Sequence, residues 1–68
     1  MDPVEAIRKS LKEVEGLGAR AVLNYVLYEF EANGPSREVV DEAVKIAERE
    51  IRELQKVLQI LKELEVYV

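Results

Sequence analysis

From Ser36 to Val68 the chain contains neither glycine nor proline. Nothing in "REVVDEAVKIAEREIRELQKVLQILKELE" interrupts a helix, and the stretch predicts one helix over about residues 36–66, roughly 45 Å long. That rod uses nearly half of a 68-residue chain, so the remainder must either lie along it or leave it bare. Val40, Val44, Ala47, Ile51, Leu54, Leu58 and Leu61 step alternately by four and three residues, the heptad seam of a helix that packs against another helix. A second row runs Val39, Ala43, Ile46 and resumes at Val57, Ile60, Leu64 and Tyr67. Glu50 and Glu53 interrupt it, so the apolar face is wide at both ends and narrow at the centre.

The long helix is preceded by "NGPS". Asn33 and Gly34 tolerate left-handed backbone, Pro35 cannot extend the helix before it, and Ser36 is a good N-cap. A second helix is predicted over residues 19–32. Ten of the fourteen residues from Ala19 to Ala32 are apolar, so they cover most of its circumference. Val22, Val26 and Phe30 form one row, Leu23 and Leu27 another, Tyr25 and Tyr28 a third.

The opening "DPVE" predicts a first helix over about residues 3–15. Asp2 can cap it, Pro3 suits the first helical position, and Glu5 completes a capping box. Val4, Ile7, Leu11 and Val14 make a single apolar stripe. "EGLGA" then places two glycines within three residues, each costing about 1 kcal/mol relative to Ala inside a helix. Either the helix ends there, with Gly16 as the residue just past it and Leu17 following in a Schellman pattern, or a kinked helix runs on. A break or sharp kink is the better reading.

The chain is thus an all-α single domain over residues 1–68, an antiparallel helical hairpin or bundle whose first arm is broken or kinked at Gly16–Gly18. If it folds back at Gly34–Pro35, Gly16 lies level with Glu53 and Ala19 with Glu50. In the simpler arrangement both halves run full length, and Leu64, Tyr67 and Val68 pack on the start of the first helix. A compact three-helix bundle is the alternative. It leaves much of the third helix overhanging unless another chain covers it.

Either way, one row of residues 19–32 meets the third helix and the others need cover. Contiguous exposed apolar patches mark interaction surfaces. The expected interface comprises Val22, Leu23, Tyr25, Val26, Leu27, Tyr28 and Phe30, with Val39, Ile46, Val57, Ile60 and Leu64 from the third helix. A homo-oligomer is expected, a dimer above other sizes.

Site chemistry is sparse. There is no Cys and no His, so thiolate metal sites, disulfides and the usual general base are missing. Glu50 and Glu53 lie one turn apart but lack the histidine of a carboxylate–histidine metal motif. They read as a solvated pair, or as acceptors for free N–H groups where a helix starts near Gly18. No catalytic, cofactor-binding or metal-binding residue is expected, and no enzyme activity. Asn24 and Gln55 read as boundary residues, as does Gln59. The net charge is −4, with acidic and basic residues interspersed in both halves, which argues against a nucleic-acid partner. The acid-rich polar face is wrong for an anionic membrane surface. The start "MDPVEAIRKS" has no apolar signal segment, and a soluble, cytoplasmic protein is expected.

In style the chain resembles de novo designed helical bundles. The capped "DPVE" opening, the clean "NGPS" turn and the unbroken heptad helix carry the likeness, together with the absence of Cys, His and Trp. It implies a thermostable, non-catalytic, self-assembling helical bundle. "EGLGA" inside an arm departs from an idealised helix, and ten Val residues go against helix propensity. The alternative is a small interaction module (an adaptor) from a thermophile or its virus, which binds a partner helix through the apolar face of residues 19–32.

Overall fold

The structure, a computed structural model, describes residues 2–68. It is all-α: α1 (Pro3–Leu11), α2 (Leu17–Asn33) and α3 (Arg37–Leu64), followed by one 3-10 turn (Glu65–Tyr67). No strand occurs among the described residues.

α1 begins as its sequence implies. Asp2 is extended, its Oδ1 accepts from the Val4 N–H at 3.0 Å, and Pro3 occupies the first turn. The helix stops at Leu11, short of the predicted residue 15. The Ser10 hydroxyl donates to the Ala6 carbonyl at 2.9 Å, a local bond that competes with the regular ladder and bends helices. The N–H groups of Lys12 and Glu13 then reach back only three residues, to Lys9 and Ser10, tightening the last turn to 3-10 geometry. Gly16 does not close α1; it stands just before α2 as its extended N-cap, with φ −63° and ψ 137°. The break is real, but the glycine serves the helix after it.

What turns the chain back at this break is Arg20. Its Nη1 donates to the carbonyl of Leu11 and, at 2.9 Å, to that of Val14. The last carbonyls of a helix have no partner within it. A guanidinium from the first turns of α2 satisfies one of them and pins the linker beside it. An ion pair, Arg8 with Glu31, ties α1 to the far end of α2. Together the two contacts lay α1 antiparallel on α2.

The α2–α3 turn follows the sequence closely. The Gly34 N–H bonds to the Phe30 carbonyl at 2.8 Å, and the Ser36 Oγ accepts from the Val39 N–H at 3.4 Å. Gly34 adopts φ 84° and ψ 167°, a region open essentially to glycine alone. Asn33 stays in the helix and is not needed for the reversal.

The core is Val26, Phe30 and Ala43, with Val4, Ile7, Val22, Tyr25 and Val39 packed around it. Leu11 is also buried. The first arm therefore folds back on α2 and does not run on along α3. Leu64, Tyr67 and Val68, expected against the start of the first helix, are exposed instead. Gly18 of α2 lies beside Glu50, so α2 begins level with the middle of α3. Past that point α3 has no neighbour, and every residue from 51 to 68 is exposed.

Two substitutions test this account. Gly34→Ala should lower stability by about 1–3 kcal/mol, whereas Gly16→Ser should leave it within about 0.5 kcal/mol, because only the first forces a side chain into positive φ. Urea titration followed by circular dichroism compares them. Arg20→Met keeps the aliphatic stem but removes the donors; a loss of about 1–3 kcal/mol and faster amide exchange in α1 than in α2 are expected.

Candidate interaction surface

α3 carries two apolar rows of identical heptad spacing, and the fold chooses between them. Val39, Ala43 and Ile46 turn towards α2. Val39 and Ala43 join the core, and Ile46 lines a depression with Gly18, Ala21, Val22 and Tyr25. The small side chain of Ala43 lets Phe30 and Val26 approach closely, and all three are under 10 % exposed. The uninterrupted seam therefore faces outward. Val40, Val44, Ile51, Leu54, Leu58 and Leu61 are 43–63 % exposed, and only Ala47 among them is half-buried.

The residues singled out from the sequence divide accordingly. Val26 and Phe30 are core; Val22, Tyr25, Val39 and Ile46 pack within the chain. They are occupied by the chain's own helices. Leu23 and Leu27 are half-buried, and Tyr28 is 71 % exposed. Val57, Ile60 and Leu64 are about half exposed and belong to the overhang. The larger open apolar surface thus lies on α3, and residues 19–32 add Tyr28 to it. Sequence reasoning identified the seam but expected it to pack within the hairpin.

The size of this surface is unusual. The chain exposes 5702 Å². A compact protein of 7.8 kDa exposes about 4,400 Å². The radius of gyration is 15.6 Å, against about 11 Å for a compact chain of this length. The excess, on the order of 1,300 Å² per chain, matches what each partner contributes to a stable homodimer.

α1, α2 and α3 also leave an opening. No Cα of α1 comes within 8 Å of a Cα of α3, although each of them packs on α2. Between the start of α1 and the start of α3 lies an apolar depression formed by Pro3, Phe30, Pro35 and Val40, with Arg37 and Asp41 at its rim.

The acidic pair divides as well. Glu50 Oε2 lies 4.0 Å from the position a Cβ on Gly18 would take, so its carboxylate sits beside the first turn of α2, which has no acidic residue of its own. It makes no hydrogen bond to that turn among the described residues, so the favourable term is the helix dipole and not a cap. Glu53 is exposed. Among the described residues no cluster of His, Cys, Asp or Glu is placed to hold a metal ion, and no polar side chain is buried. No helix among them is long and apolar enough to cross a membrane. No protein-family model, curated protein or solved structure matches the chain.

The choice of core row is testable on α2. Phe30→Ala should cost about 3–5 kcal/mol, while Tyr28→Ala should change stability by no more than about 0.5 kcal/mol. Thermal melts of the two variants would read the difference.

Proposed function

We propose that this protein is a non-catalytic, self-assembling helical module whose working surface is the outward seam of α3. The observation that carries the reading is the exposure of that seam along the whole helix, most of all over residues 51–64, where both apolar rows are bare. Burying one Leu, Ile or Val contributes about 1.5–3 kcal/mol, so the nine half-exposed positions of α3 are a strong drive to associate. Polar and charged residues cover the rest of α3, which confines association to one face. The excess area per chain supports a second copy as the cover.

The test is solution mass, by sedimentation equilibrium across a hundredfold concentration range, for the wild type and for Leu58→Asp. Leu58 is 52 % exposed and touches nothing that holds the hairpin together. The expected outcome is a mass of two or more chains for the wild type. Leu58→Asp should weaken association at least about tenfold, since it removes a buried leucine and adds an unpaired charge. A single-chain mass throughout, with Leu58→Asp as stable as the wild type, would overturn self-assembly and leave the adaptor reading, in which another protein's helix occupies the seam.

A further inference from the structure

Resting on that reading, we infer that the second copy binds antiparallel, its α3 overhang filling the open corner between α1 and α3, in the register that sets Arg52 of one α3 level with Glu53 of the other.

The corner comes first. In a triangular bundle each helix touches the other two. Here α1 touches α2, α2 touches α3, and α1 and α3 stay apart. This is three corners of a square four-helix bundle with the fourth vacant. The vacancy borders the outward seam of α3 and the apolar depression at Pro3, Phe30, Pro35 and Val40. The chain also holds a helical segment with no neighbour, residues 51–67, as long as α2 and apolar on two rows. A square corner needs an occupant with a face that wide, because it must meet two neighbours.

Direction follows from symmetry. Two copies that each fill the other's corner must be related by a two-fold axis across α3, so the two α3 helices run antiparallel. In that orientation seam positions alternate across the pair. Val44 meets Leu61, Ala47 meets Leu58 and Ile51 meets Leu54, each layer occurring twice. The same register overlaps α3 along its full length, from Arg37 to the terminal 3-10 turn. It carries Leu64 and Tyr67 of each copy to the other's depression, on the flank where α1 and α2 lie.

Charge separates this register from its neighbours. Reversing one helix brings equivalent flanks together. In the proposed register Asp41 faces Lys62 twice, Glu48 faces Gln55, and Glu50 faces Val57. A shift of one heptad in one direction sets Glu48 against Glu48 and Glu50 against Glu50, two like-charge contacts. A shift in the other direction keeps an attractive flank, Glu48 facing Lys62, but puts Glu65 opposite Ala47 between apolar layers, whereas the proposed register meets Glu65 only beyond its last apolar layer, level with Val40. Only the proposed register joins six consecutive apolar layers to an attractive flank.

The chain has no cysteine, which makes cross-linking selective. Val44→Cys protein is mixed in turn with Leu54→Cys, Leu61→Cys and Val68→Cys proteins and oxidised mildly. The expected result is a disulfide with the Leu61→Cys chain at least about tenfold faster than with the other two or between identical chains. Predominant Val44→Cys homodimers would indicate parallel helices and overturn the proposal. Predominant linkage to Leu54→Cys or Val68→Cys would overturn the register. These failures leave a dimeric mass intact, whereas failure of self-assembly itself shows as a single-chain mass. In an independent arm, Asp41→Lys should weaken the dimer roughly two- to thirtyfold, and adding Lys62→Asp should restore it. No loss on reversal, or no recovery in the double variant, would count against the facing pair.

Discussion

The contact of Phe30 and Val26 with Ala43 sets the rotation of α3, and the rest of the molecule follows from that rotation. A ring and a branched side chain need a small residue opposite them if two helices are to approach closely. α3 offers one at Ala43, on the row it shares with Val39 and Ile46. Once that row faces inward, Val40, Val44, Ile51, Leu54, Leu58 and Leu61 must face outward, because a helix cannot present two stripes to one neighbour. Glu50 ends the inward row where α2 itself begins, so the polar gap costs no packing. The exposed seam is thus the other side of a core decision and not an isolated surface feature.

The second determinant is Arg20. Without it the carbonyls of Leu11 and Val14 would lose their side-chain donor, and the reversal would rest on the Arg8–Glu31 pair and the packing of Val4 and Ile7 alone. A guanidinium presents several donors in one plane, so one side chain can serve the Leu11 and Val14 carbonyls together. The consequence is spatial. α1 lies on α2 and stands clear of α3, which leaves α3 open on one side and its far half bare.

The three helices, the "NGPS" reversal and the Asp2 and Ser36 caps were legible in the sequence because each depends on residues within one or two turns. The level of α2's start on α3 was legible too, since a short turn pairs Ala19 with Glu50 arithmetically, one residue from the Gly18 observed there. The inward row of α3 was not. Both rows repeat every seven residues, and the choice between them rests on the volume of Ala43 against Phe30, a relation between distant residues. The role of Arg20 was not legible either, since it depends on carbonyls up to nine residues earlier. The one available signal was that a lone cation in the first turns of a helix is unfavourable to the dipole and so calls for another reason to be there. The course of the first arm went unread for the same cause, as the glycines mark a break without giving its direction.

The overhang of α3 has a consequence for how the molecule forms. Contacts among α1, α2 and the first half of α3 join residues near in sequence across short links, and such helices assemble within microseconds to milliseconds. Residues 51–64 extend a helix already nucleated, so they add one hydrogen bond per residue without the initial penalty, yet they gain no burial from their own chain. Whatever covers them arrives by collision. On the proposed reading, folding divides into a fast step independent of protein concentration and a slower one whose rate rises with it, and the boundary between the two runs through one continuous helix at about Glu50.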